Sequence, residues 1–263
     1  MNDVLIRFNP KGDIMSLEDI RALVFDMGGI LYDTPRETTV MTRFILKELE
    51  LHEFEEYSDQ TIEDTINRID DLFDRNLVEA NQEPHWLPSY DDSVEYDRLI
   101  LKELGVKGDL NEMASYAHSE WLKALPNMMP RFLEPCREVL ETLRSSGYQL
   151  GVASNRRNDP LPRLESDGVL HLFDSVEYSC VPGYRKPSPY MLLQVASKLG
   201  INPRKCAYIG DRIKHDIAAA KRADFLPILL VWCGLEESEK APEDVIVIEH
   251  ISELLDIFKH MRR

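Results

Sequence analysis

The stretch ALVFDMGGILYDT, residues 22–34, decides the fold. Ala22 to Phe25 form an unbroken apolar run, without the alternation of a half-solvated strand, which suits a strand buried on both faces of a sheet. The run ends on Asp26 and breaks at once at Gly28-Gly29, where a backbone bare of side chains lets a phosphate or a metal ion come close. One carboxylate is thereby placed where a strand leaves a sheet. Gly28 carries no side chain at a position where a second acid could stand.

The whole chain bounds what that carboxylate can do. At 263 residues it suits one large domain or two modest ones, with enough apolar content for a core. Acidic residues outnumber basic ones 47 to 31, and the net charge of −16 opposes nonspecific attraction to nucleic acid and to anionic membranes. An anionic substrate would then need a local cation, either a side chain or a metal ion. Cys136, Cys180, Cys206 and Cys233 form no CxxC pair, so they signal neither a zinc site nor a thioredoxin-like motif and read as reduced, mostly buried thiols. The opening MNDVLIRFNPKGDIMSLEDI is broken by acids and a Lys-Gly turn, unlike a signal peptide, and no later apolar run approaches membrane-spanning length. A cytoplasmic protein with no membrane or nucleic-acid partner is expected.

Downstream, residues 36–126 read as helical throughout. Ile62, Ile66, Ile69 and Phe73 form one stripe at helical spacing, and Leu110, Met113, Ala114, Ala117 and Trp121 form another. From about residue 130 the pattern alternates: a helix near 134–146, then the strands QLGVAS, SVEYS, AYIG, ILLVW and VIVI with helical segments between them. Such βα repetition demands a parallel sheet with helices on both faces. The continuous apolar character of ALVF fits the centre of that sheet, so residues 36–126 read as an all-α cap inserted into an α/β core made of residues 20–35 and 127–263. Residues 1–19 are an extension, in which VLIRF could add a short edge strand. Ligands of open α/β sheets bind beyond the carboxyl ends of the strands, where Asp26, Ser154 and Asp211 all fall.

Four segments are therefore read together: FDMGG with Asp26, VASN with Ser154 and Asn155, YRKPSPY with Lys186, and IGDRIKHD with Asp211 and Asp216. In this order they resemble the four motifs of the haloacid dehalogenase superfamily, mostly phosphatases and phosphotransferases on a Rossmann-like, three-layer core with a mobile cap. The resemblance covers residues 20–35 and 128–235. It implies that Asp26 is a nucleophile forming an aspartyl-phosphate. It further implies Mg²⁺ held by Asp26, Asp211 and the Gly28 carbonyl, with Asp216 as a direct or water-mediated ligand, which removes the repulsion between a carboxylate and a phosphate dianion. Ser154, the Asn155 backbone N–H and Lys186 match the groups that meet the phosphoryl oxygens, and Gly29 lies beside them in the first motif. Lys186 is also the local cation that the charge argument calls for, and Pro187 biases it toward an extended backbone. The implied substrate is a small phosphorylated metabolite; neither its identity nor the oligomeric state is written in these motifs.

Each piece has a plainer reading when taken alone. Asp26 would be a strand-terminal turn residue, Ser154-Asn155 a turn or helix cap, and Asp211 and Asp216 solvated surface acids. Their joint order is what outweighs these readings. His215, between the two acids of the fourth motif, reads as a solvated helix-end histidine, with metal tuning or proton donation as the alternative. Arg156 and Arg157 suit either an exposed loop or contact with an anion. HWLPSY, residues 85–90, reads as packing between helices, with substrate contact as the alternative.

Gly28 opens rival chemistries. Most phosphatases of the family carry a second aspartate at this position, which protonates the leaving alkoxide and later activates water. Its absence admits 2-haloacid dehalogenation, which needs no cation, and also a weakened protein that binds Mg²⁺ or a phosphate ligand without turnover. Asp211 and Asp216 argue against the dehalogenase, and the retained Asp26 argues against the pure binder. The leading expectation is a Mg²⁺-dependent phosphatase with a weakened or relocated acid–base function.

Overall fold

The computed structural model describes residues 7–8, 14–33, 37–54, 56–128, 130–231 and 241–258. Strands β1 (Arg7–Phe8), β2 (Ile14–Met15) and β3 (Ala22–Phe25) come first, followed by helices α1 (Glu37–Glu48), α2 (Asp59–Glu79), α3 (Tyr90–Leu104) and α4 (Leu110–Met128). Then come α5 (Glu134–Ser145), β4 (Gln149–Asn155), α6 (Leu161–Ser166), β5 (Ser175–Ser179), α7 (Tyr190–Leu199) and β6 (Cys206–Gly210). The order ends with α8 (Ala218–Arg222), β7 (Leu226–Leu230), β8 (Ile246–Ile248) and α9 (Glu253–Ile257). The chain forms two compact units, Met1–Asp33 with Arg131–Arg263, and Thr34–Pro130.

In the first unit six strands form one sheet in the order β5-β4-β3-β6-β7-β8, all parallel. ALVF is fully buried and lies between β4 and β6, as its apolar run predicts. Period-two alternation sends Leu23, Phe25, Leu150, Val152, Ala207 and Ile209 to one face, against Val139, Leu140 and Leu143 of α5 and Leu254 of α9. Ala22, Val24, Ala153 and Tyr208 face the other way, against Met191, Leu192 and Val195 of α7 and Ala219 and Ala220 of α8. Helices therefore cover both faces, giving the three-layer α/β architecture. Arg7–Phe8 of the proposed VLIRF strand pairs antiparallel with Ile14–Met15 in a separate two-stranded sheet rather than on the edge of the six-stranded one, and residues 4–6 lie outside the described residues.

The second unit is helical where it is described. Ile62, Ile66 and Ile69 of α2 pack with Tyr96, Ile100 and Leu101 of α3 and with Ala114 and Ala117 of α4, so the two stripes read from the sequence form its core. Local chemistry marks the helix ends: Ser89 and Asp92 form a capping box on α3, and Gly105, at φ 90°, ends that helix in a left-handed cap. Within HWLPSY, Leu87 and Tyr90 are exposed, yet Tyr90, the first residue of α3, sets its ring edge-on to His118 of α4, a contact between helices. His118 Nδ1 lies 2.7 Å from Asp97 Oδ2, a buried pair joining α3 and α4. No described helix is long and apolar enough to cross a membrane. Cys136, Cys180 and Cys206 are buried and in no disulfide, and Cys233 lies outside the described residues.

Candidate active site

Strand register assembles the site. Phe25 pairs with Val152 on one side and Ile209 on the other, and the Asp26 backbone N–H donates to the Ile209 carbonyl at 2.9 Å. Asp26, Ser154 and Asp211 therefore emerge side by side at the carboxyl end of three adjacent strands, where open α/β sheets leave a crevice. Ser154 is buried beside Asp26, where its hydroxyl favours the ionised carboxyl.

Lys186 arrives from the segment between β5 and α7 and is 1% exposed. Burying an ammonium is costly unless every donor is met. Its Nζ lies 2.9 Å from Asp26 Oδ2 and 2.7 Å from Asp216 Oδ1, and it donates to the Tyr208 hydroxyl at 2.7 Å. The Lys186 backbone is held as well: its N–H donates to Asn155 Oδ1 at 2.8 Å, and its carbonyl accepts from Asn155 Nδ2 at 2.9 Å. One side-chain amide thus grips one residue's N–H and C=O from the end of β4.

Asp216 sits in a π-helical turn, Ile213–Ile217, that leads into α8. Its Oδ2 accepts from the backbone N–H groups of Asp211 and Arg212 at 3.1 and 2.9 Å, so the wide turn folds the second acid back onto the first. Two glycines make room. A methyl group on Gly29, whose φ is 72°, would lie 2.3 Å from Asp211 Oδ2, and one on Gly210 would lie 2.3 Å from Asp216 Cβ.

One ammonium among three carboxylates leaves the cluster over-supplied with negative charge. Burial, reinforced by the charges of Asp216 and Asp26, pushes Asp211 up to about 8. Burial also raises Asp26, with Lys186 opposing it. Burial would raise Asp216 too, but Lys186 and the Arg212 N–H outweigh it and hold that carboxyl below its ordinary value. Lys186 is pushed upward, because its two carboxylate partners outweigh the burial that disfavours its charge.

A divalent cation fits this imbalance. One oxygen from each of Asp26, Asp211 and Asp216 lies within 4.8 Å of the other two, and Asp211 Oδ1 is buried without a hydrogen bond. An all-oxygen, carboxylate-rich donor set suits a hard ion such as Mg²⁺ rather than a thiophilic metal.

The sequence-predicted residues Asp26, Ser154, Lys186, Asp211 and Asp216 are thus brought together, with Asn155 and Gly29 in contact with them. Two differences stand out. His215 is half-buried in the π turn rather than solvated, and burial together with Arg212 lowers its pKa. Arg156 is partly buried and its Nε bonds Asn158 Oδ1. Sequence reasoning took Asn155 for its backbone N–H and missed its side-chain grip on Lys186. It missed Tyr208 altogether, although a hydroxyl inside the buried strand CAYIG was a visible signal.

The comparisons agree with this geometry. The pattern of the haloacid dehalogenase-like hydrolases matches residues 20–224. The chain is 27% identical over 178 residues to a glyceraldehyde 3-phosphate phosphatase of Methanopyrus kandleri, covering 63% of this chain and 72% of that one. It is 30% identical over 218 residues to a phosphoglycolate phosphatase of Salmonella typhi, covering 79% of each. The crystal structure of a predicted phosphoglycolate phosphatase from Haemophilus somnus 129pt shares the fold, with a TM-score of 0.62 and 18% identity over 91% of this chain and 98% of that one. With its motifs on the strand ends of a parallel sheet and the family pattern spanning most of its length, the chain belongs to the haloacid dehalogenase-like hydrolases.

Proposed function

We propose that the protein is a Mg²⁺-dependent phosphatase acting on a small phosphorylated metabolite, with Asp26 as nucleophile. The observation that carries this reading is the Asp26 carboxylate, held at the end of β3 by Lys186, beside Ser154 and the buried acids Asp211 and Asp216. The phosphatases among its relatives support a phosphomonoester as the substrate.

Asp26, Asp211, Asp216 and the Gly28 carbonyl would hold the Mg²⁺. Bound there, the ion offsets negative charge on the acids and on the phosphoryl oxygens. An Asp26 oxygen attacks phosphorus, the bond to the substrate oxygen breaks, and the acyl phosphate left on Asp26 is then hydrolysed by water. Lys186, whose N–H toward Asp26 is released as that carboxylate attacks, donates to the phosphoryl oxygens with the Ser154 hydroxyl and the Asn155 N–H as charge develops. Gly28 offers no proton to the departing alkoxide. General acid–base help is worth roughly 10² to 10⁴ in rate, so its loss weighs most on poor leaving groups.

The test compares p-nitrophenyl phosphate with a sugar phosphate, with and without Mg²⁺, in wild type and Asp26→Asn. Turnover should need the ion and Asp26, and should favour the activated ester. Metal-independent turnover, or full activity in Asp26→Asn, sinks the reading. Gly28 favours one alternative, a protein that binds Mg²⁺ and phosphate without turnover; ligand binding with no phosphate release across a broad panel of phosphorylated metabolites would establish it. Halide release from 2-chloropropionate would instead reveal a dehalogenase, a chemistry with no use for Asp211 and Asp216 as metal ligands.

A further inference from the structure

We propose that Tyr208 is a positioning residue, holding Lys186 Nζ in place and, through the same oxygen, setting the peptide that precedes Ser154. This rests on the phosphatase reading, in which Lys186 and Ser154 meet the phosphoryl group. An ammonium has three N–H donors and no acceptor. Two of its neighbours here are carboxylates, Asp26 and Asp216, and the third is the Tyr208 oxygen at 2.7 Å. Since Nζ can only donate, the phenol oxygen accepts, and its single hydrogen goes to the Ala153 carbonyl, also at 2.7 Å. The chain of hydrogen bonds therefore runs one way, from Lys186 through Tyr208 to the peptide shared by Ala153 and Ser154.

Packing alone does not explain this hydroxyl. Tyr208 is fully buried in the apolar layer formed by Val24, Ala153, Met191 and Val195, where a phenylalanine would fill the same space without a polar group to satisfy. What the hydroxyl adds is a neutral third anchor. Asp26 changes its charge when it is phosphorylated, and Asp216 stands by the proposed metal, whereas the link from Tyr208 to Ala153 contains no ionised group. It can hold the ammonium in one place while the charges around it change.

Tyr208→Phe is expected to fold, and to lower kcat for p-nitrophenyl phosphate with Mg²⁺ about tenfold while KM changes less than about threefold, since a misplaced donor costs most in the transition state. In wild-type protein carrying ¹⁵N-lysine, the Lys186 ammonium hydrogens should exchange slowly and show cross-peaks to the Tyr208 ring; Tyr208→Phe should lose that protection. A folded variant with unchanged kcat overturns the proposal, as does a wild-type spectrum with no contact between ammonium and ring. Should Tyr208→Phe fail to fold, the wild-type spectrum decides. Turnover that survives in Asp26→Asn would fell the phosphatase reading instead, and the ammonium contact would still be readable.

Discussion

Lys186 Nζ lies 2.9 Å from Asp26 Oδ2, closing a buried ion pair between the loop after β5 and the end of β3. The pair does not balance the site, because Asp211 and Asp216 share the same space. Two consequences follow from that imbalance: the carboxylates depend on Lys186 for stability, and they have room for a further cation.

Lys186→Met removes the ammonium and leaves buried carboxylates uncompensated, a change that costs about 3–5 kcal/mol in comparable settings. A clear fall in thermal midpoint is expected, partly recovered by millimolar Mg²⁺. A midpoint equal to wild type in metal-free buffer would contradict the pairing.

Asn155→Ala deletes both hydrogen bonds to the Lys186 backbone. Each bond of this kind is worth about 1 kcal/mol, so a loss of about 2 kcal/mol in denaturant unfolding is expected. Because Lys186 then loses its fixed base, kcat should fall more than KM rises. Steady-state kinetics on the purified variant check this.

The metal-free protein should lose stability as pH rises. Asp211 ordinarily titrates at 3.8 and is raised to about 8 in the folded state. Between those values the folded chain holds a proton that the unfolded chain has released, so stability falls with pH through this window and the penalty is complete above about 8. Asp26 is raised as well and contributes with the same sign. Mg²⁺ must displace that proton, so its apparent affinity should climb with pH up to about 8 and then level off. Thermal midpoints at pH 6 and 8.5, with and without the ion, read both effects.

Gly29→Ala should damage metal binding. Its Cβ would stand 2.3 Å from Asp211 Oδ2, and a φ of 72° is strained for alanine. A cost of about 1–3 kcal/mol and at least a tenfold weaker response to Mg²⁺ are expected. Calorimetric titration of the ion into the variant decides.

Gly28→Asp tests the missing acid. Turnover of a sugar phosphate should rise by about tenfold or more, while p-nitrophenyl phosphate changes little. Equal changes for both esters would show that leaving-group protonation does not limit the reaction.

Local sequence was enough to determine the elements and the kind of chemistry each could carry. Apolar runs marked β3 and its parallel neighbours, helical stripes marked the cores of α2 and α4, and four short motifs set Asp26, Ser154, Lys186 and Asp211 on strand ends or the loops beside them, since burial patterns and turn residues are local signals. Contacts between segments are not local. The side-chain hold of Asn155 on Lys186, the Tyr208 link to Ala153 and the half-buried His215 depend on which strands lie side by side and on a π turn whose extra residue has no pattern in the sequence. The charge balance of the site belongs to the same class. Asp216 is held ionised while Asp211 is pushed to about 8, although both ordinarily titrate at 3.8, because only the fold decides which of them meets Lys186.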